Sequence, residues 1–117
     1  MMSTCTALII PADLNEPARV ETIDAGLETL QTLVGGNIEA VSGGDWHFYL
    51  NEEGKILGLD WNRRAALLVL QETGVLADLY CGNTVFLGET RDGDEGDVPR
   101  DLIDLAQQLF GLHQATA

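Results

Sequence analysis

Basic side chains are scarce in this chain of 117 residues: Lys and Arg number 6 against 19 Asp and Glu, a formal charge of 6 − 19 = −13. That balance repels phosphate backbones and excludes ordinary sequence-independent binding of DNA or RNA. It equally disfavours docking on an anionic membrane surface. Cysteine is nearly absent. Cys5 and Cys81 stand alone without a C-x-x-C spacing, so the expectation is a reduced, cytoplasmic protein whose thiols are buried rather than reactive. Long apolar runs are missing too. The longest, Ala65 to Leu70, is far too short to span a bilayer. The opening Met1-Met2-Ser3-Thr4-Cys5 places no basic region ahead of Ala7-Leu8-Ile9-Ile10, so it does not read as a secretory signal.

What is present has the composition of a globular protein, 45% hydrophobic and 21% charged. A chain of this size is expected to form one domain, residues 1–117, burying about two-thirds of its unfolded surface. Thr4 to Ile10 is an apolar run ending at Pro11, which reads as a buried strand, and Pro11 to Pro17 has loop composition. Arg19 to Ile23 alternates polar and apolar residues, the signature of a half-buried strand. Asp24 is placed to cap a helix carrying Leu27, Leu30, Leu33 and Val34 on one stripe, with Gly35-Gly36 as its stop.

Asn37 to Val41 alternates as a further strand, and Trp46 to Leu50 is the next. Asn51-Glu52-Glu53-Gly54 is a tight-turn sequence with Gly54 at a positive φ, returning as a short strand over Lys55 to Leu57. Asn62 to Thr73 forms a helix that is apolar nearly all round its middle and is ended by Gly74. Leu79 to Cys81 and Thr84 to Leu87 flank Gly82-Asn83 as a hairpin or one kinked strand. An acidic loop over 89–98 and an amphipathic closing helix over 99–110 complete the chain, with a tail after Gly111 that frays. The fold class is α+β: a single compact domain with a mostly antiparallel sheet and about three helices.

The chemistry-bearing residues admit several readings. Asp92-Gly93-Asp94-Glu95-Gly96-Asp97 invites a calcium loop, but counting from Asp92 puts Gly96 at position five, Asp97 at six and Ile103 at twelve, so the pattern fails. A solvated acidic loop is the simpler reading. Cys5, Cys81, His47 and His113 lack the paired spacing of a zinc site, and no metal is expected. His47 and Tyr49 lie on one face of the Trp46–Leu50 strand, opposite Trp46, Phe48 and Leu50. Such a pair can do acid–base work, but a surface or interface histidine is the commoner outcome. Glu52 and Glu53 are adjacent on a turn and point apart, which makes them a poor catalytic couple.

Two arrangements remain as binding candidates. Asn62, Arg63 and Arg64 open the apolar helix, where free backbone N–H groups already favour anions. Cations there are unfavourable for the helix itself, so they call for a ligand phosphate or for internal partners such as Asp60, Glu52 or Glu53. The other candidate is the acidic surface, with Asp92, Asp94, Glu95, Asp97, Asp101 and Asp104 as its densest stretch. Carboxylates held on a rigid face can occupy a basic cleft on another protein, although acidity also serves solubility alone.

The order of these segments resembles a known family. Ala7-Leu8-Ile9-Ile10-Pro11-Ala12-Asp13, the Val34-Gly35-Gly36-x-Ile38-Glu39-Ala40-Val41 block, Asn51-Glu52-Glu53-Gly54-Lys55, the Asn62-x-Arg64-Ala65 helix start and Gly82-Asn83-Thr84-Val85-Phe86-Leu87-Gly88 are similar to the domain of unknown function 3846 family. Trp61 departs from the Pro-rich segment common there before the Asn. The resemblance implies an origin among bacteriophages, plasmids and actinobacteria, and no established activity or cofactor. It also focuses attention on Gly36, Glu39, Asn51, Glu52, Glu53, Lys55, Asn62 and Arg64, and the Asn51 to Lys55 turn with Asn62, Arg63 and Arg64 of the helix start makes a candidate ligand pocket. In that setting the expected function is that of a small acidic accessory protein without chemistry of its own. Its acidic surface would bind a host protein with a basic surface, and an exposed aromatic edge at Trp46 to Tyr49 would allow a homodimer. The alternative is a small-molecule or nucleotide-sequestering protein built on the 51–55 turn and the 62–64 helix start. An enzyme comes third, with His47 and Glu52 or Glu53 as its only nameable participants.

Overall fold

In the computed structural model, residues 4–76 and 78–113 are described, so the tail expected to fray lies largely outside them. The apolar run at the start becomes β1 (Thr4–Ile10), and the alternating segment after the loop becomes β2 (Arg19–Asp24). Helix α1 spans Leu27–Val34, followed by β3 (Ile38–Ser42) and β4 (Trp46–Asn51). Helix α2 (Arg63–Thr73), β5 (Thr84–Gly88) and α3 (Arg100–Phe110) follow. The strands form one sheet in the order β2-β1-β5-β4-β3, and every neighbouring pair is antiparallel. The chain is an α+β protein.

Strand periodicity divides the sheet into two apolar faces. Leu8, Ile10, Trp46, Phe48, Leu50 and Phe86 point to one side, where Ala65, Leu68 and Val69 of α2 and Leu102 and Ala106 of α3 cover them. Cys5, Ala7, Ile9, Val85 and Leu87 point to the other, under Leu30 and Val34 of α1. Helices on both faces explain why β1 reads as a continuous apolar run and not as an alternation. An aromatic cluster fills the first face: the Phe48 and Phe86 rings stack at 4.6 Å and Trp46 lies 5.7 Å from Phe86. Such pairs add about 0.5–1.5 kcal/mol each beyond area burial. The buried Trp46 indole donates to Glu72 Oε1 at 3.1 Å, which satisfies its N–H.

Helix ends follow local chemistry with one substitution of roles. Asn62 caps α2 and Gly74 closes it in a left-handed conformation. The N-cap of α1 is Gly26; Asp24, expected there, instead accepts a hydrogen bond from the Gly26 N–H. Leu27, expected on the apolar stripe, is 59% exposed, while Leu30 and Val34 lie in the core. Helix α2 is buried on one side only, because Leu67 and Leu70 face away from the sheet.

The expected return strand over Lys55 to Leu57 is not formed. Residues 52–58 are successive turns, in which the Leu57 N–H donates to Glu53 O and the Leu59 N–H to Gly54 O. Strand β4 already has β3 and β5 as neighbours and offers no free edge for another partner. Gly54 is required by close approach, not by a positive φ: a Cβ there would sit 2.7 Å from the Cys81 carbonyl oxygen. Leu79 to Cys81 adds no regular strand; Cys81 makes a single bridge with Trp61.

Candidate functional site

The acidic loop between β5 and α3 is anchored along its length, and the anchors come from β1 and β4. At its root the Gly88 and Gly96 backbones exchange hydrogen bonds of 2.9 and 3.0 Å. At its far end the Asp97 carboxylate accepts from the Thr6 N–H at 2.8 Å, and the Val98 N–H donates to Thr6 O. Within the loop the Thr90 hydroxyl donates to Asp94 O, and the Cys5 thiol reaches Glu95 O at 3.4 Å.

The strongest anchor is Glu95. Strand periodicity puts His47 and Tyr49 on the α1 side of β4, with their rings edge to face at 5.2 Å. One Glu95 oxygen lies 2.6 Å from His47 Nε2, and the other accepts the Tyr49 hydroxyl. His47 Nδ1 faces Glu89 at 3.3 Å but makes no hydrogen bond. Burial, then donation to Glu95, then the Glu95 and Glu89 charges push the Tyr49 hydroxyl well above the ordinary tyrosine range. Burial, aided by the Asp97 and Glu95 charges, also raises the Cys5 thiol, which keeps it un-ionised and unreactive. His47 is therefore a buried residue holding a loop, where a surface position was the expectation.

The loop presents its remaining carboxylates outward. Asp92, Asp94, Asp101 and Asp104 are exposed, and Asp97 is exposed despite its bond to Thr6. Glu95 is the exception among the six acidic residues singled out from sequence, since its carboxylate is turned into the sheet. The sequence carried no signal for that role, because its partners lie 46 and 48 residues away.

The other candidate pocket is split. The Asn51–Lys55 turn lines a cleft of about 300 Å³ with Glu39, Asp78, Tyr80 and Cys81. Asn51 is committed to the turn, donating to Val34 O and accepting from the Glu53 N–H. Lys55 is paired with Asp78; that hydrogen bond raises the ammonium and lowers the carboxyl from their ordinary values. Glu39, Glu52 and Asp78 around one engaged lysine make a poor phosphate site. The helix start lies elsewhere. Asn62 Nδ2 donates to Ile10 O and Gly82 O, and Arg64 Nη2 donates to the carbonyls of Pro11, Asp13 and Glu16. Burial lowers the Arg64 guanidinium from its ordinary value, opposed by the Asp13 and Glu16 charges. Arg63 stacks over Trp61 at 5.3 Å. Asn62 thus ties the start of α2 to Ile10 and Gly82, Arg64 holds the 11–16 loop, and none of these bonds reaches the 51–55 turn. Among the described residues, no three His, Cys, Asp or Glu side chains converge as a metal site. No described helix is long and apolar enough to cross a membrane.

An antiparallel sheet between helical layers, with an anchored acidic loop at one end, defines an α+β domain of a known family. The chain belongs to the family described as Domain of unknown function (DUF3846), whose profile matches residues 5–111. No curated protein sequence matches it. Among solved structures it is similar to one titled "Crystal structure of small RNA methyltransferase HEN1", with a TM-score of 0.59 and 16% identity over 91% of this chain. This chain spans only 16% of the length of that chain, and at this identity the likeness concerns the fold alone.

Proposed function

We propose that this protein is a non-enzymatic interaction module that binds the basic surface of another protein through the acidic loop and the outward face of α3. One observation carries the reading: four of the six Lys and Arg side chains are engaged within the chain, while most of the carboxylates of the loop and of α3 stand exposed on a fixed frame. Lys55 pairs with Asp78, Arg19 with Glu21 and Arg100 with Asp104, while Arg64 is spent on carbonyls. Asp92, Asp94 and Asp101 stand exposed beside them in a chain of formal charge −13. A preorganised acidic face of this kind steers a basic partner and fixes its register. The family resemblance to phage, plasmid and actinobacterial proteins supports a cytoplasmic accessory role on host machinery. The strands left free for a second copy are β2 and β3, since β4 with its aromatic residues is interior to the sheet.

The test is capture of a stoichiometric partner from host lysate, followed by titration of the purified pair at rising ionic strength. Affinity is expected to fall steeply with salt, and to fall again when Asp92, Asp94, Asp101 and Asp104 are changed together to Asn. Binding indifferent to both salt and neutralisation overturns the reading. A second reading, a small-molecule binder, rests on the cleft beside the 51–55 turn, whose carboxylates favour a ligand without phosphate.

A further inference from the structure

We infer that His47 and Glu89 form a binding site for a divalent transition-metal ion of the zinc type, with Glu95 as the outer partner of the histidine. His47 is 7% exposed, and its two ring nitrogens meet different groups. A carboxylate only accepts hydrogen bonds, so the 2.6 Å contact with Glu95 Oε1 places the ring proton on Nε2. Nδ1 is left buried and without a hydrogen-bond partner, facing Glu89 Oε1 at 3.3 Å. The sheet register sets up that meeting: Leu87 pairs with His47, which brings Glu89, two residues further on, to the diagonal of the ring.

Two bare acceptors set against each other repel, and a cation between them removes the conflict. The spacing selects the cation. A proton shared in a charge-assisted hydrogen bond would draw N and O to about 2.7–2.9 Å. A bridging water would need them about 4.5 Å apart. Donors held about 2.0–2.1 Å from a tetrahedral ion lie about 3.3–3.4 Å from one another, which is the separation found. Imidazole with carboxylate suits zinc and its neighbours, whereas calcium and magnesium take oxygen alone. The Nε2–Glu95 bond is the outer contact that a ligating histidine ordinarily makes, and it fixes the tautomer and the ring. Among the described residues no third His, Cys, Asp or Glu converges, so water completes the coordination. Glu89, whose side chain is 41% exposed, gives the ion its entry from solvent. The ion ties both ends of the acidic loop, Glu89 and Glu95, to one imidazole. This site does not rest on the proposed docking of a partner, so either can fail without the other.

The test strips the purified protein with a chelator and dialyses it against zinc at physiological ionic strength, with excess magnesium to occupy loose carboxylate sites. One zinc ion per chain is expected to bind saturably and to raise Tm. In imidazole nitrogen NMR, zinc should shift Nδ1 of His47 and leave Nε2 protonated, with His113, the other histidine, as the internal reference. Removing a ligand costs no less than removing an outer partner, so Glu89→Gln should weaken binding at least about tenfold. Glu89 is exposed, so the change leaves the fold intact. Asp92→Asn with Asp94→Asn, on the exposed part of the loop, should keep zinc binding unchanged. Uptake without saturation, or equal uptake by Glu89→Gln, overturns the site as adventitious binding to an acidic surface. A shift confined to His113 overturns it as well, and so does an Nδ1 proton in the metal-free protein that zinc fails to displace.

Discussion

Glu95 and His47 meet across the seam between the acidic loop and the sheet, with a carboxylate oxygen 2.6 Å from Nε2. The contact turns a segment of loop composition into a fixed platform, because the same carboxylate also holds Tyr49. Its removal leaves a buried imidazole and a phenol without their acceptor. Glu95→Ala is expected to destabilise the fold by about 1–3 kcal/mol, the cost of orphaning buried polar groups. Urea unfolding measures that loss, and amide exchange should accelerate over residues 90–97 while α2 stays protected. Unchanged exchange in the loop would show that Glu95 does not anchor it.

Gly88 closes the same seam by having no side chain. A Cβ there would lie 2.0 Å from the Asp97 carbonyl oxygen, a backbone atom that cannot rotate away. Replacing Gly in a strand by Ala ordinarily stabilises by about 0.5–1 kcal/mol, through reduced freedom of the unfolded chain. Here Gly88→Ala should reverse that sign and cost about 1–3 kcal/mol, as overpacking does. Thermal unfolding of the variant decides it, and a rise in Tm would contradict the packing described for this seam.

Tyr49 gives the fold a defined alkaline limit. Its hydroxyl is raised in the folded state by burial and by donation to Glu95, so the folded protein keeps a proton that the unfolded chain gives up near pH 10. The stabilisation is complete below that pH, and stability declines as pH rises through the interval up to the folded value. Cys5 and Tyr80, raised mainly by burial, act in the same direction. Tyr49→Phe should flatten the slope of unfolding free energy against pH above about 10, at the cost of one Glu95 hydrogen bond at neutral pH. Parallel slopes for the two proteins would remove Tyr49 as the source.

The parts of the fold legible in the sequence are those set by neighbours along the chain. Asn62 and Gly74 bound α2 where capping chemistry places them, and β1 appears as the apolar run that burial on two faces demands. Lys55 to Leu57 fails as a strand for a non-local reason, namely that β5, from the far end of the chain, occupies the edge of β4 that a hairpin would need. Glu95 is the matching case in the site. Its composition reads as one more solvated acid, and only the folding of the loop onto β4 turns it inward to His47. The 51–55 turn and the 62–64 helix start are close in sequence, yet the helix start is consumed by the carbonyls of the 11–16 loop and of Gly82.

Asn62 decides between a structural and a ligand-binding helix start. Its side chain is fully buried, with Oδ1 accepting from the Ala65 N–H at 3.0 Å and Nδ2 donating to Ile10 O at 2.7 Å and Gly82 O at 3.0 Å. Asn62→Ala removes a helix cap worth about 1 kcal/mol and leaves buried carbonyls unpaired at about 1–3 kcal/mol. A loss of roughly 2–4 kcal/mol is expected from those two contributions, measured by urea unfolding without any ligand present. Arg63→Ala, one residue on and exposed, should stay within about 0.5 kcal/mol. Asn62→Asp preserves the acceptor for Ala65 but sets a carboxylate against two carbonyl oxygens, so it should rescue little of the loss. A ligand-binding Asn62 would show the opposite pattern, with stability nearly unchanged in both variants.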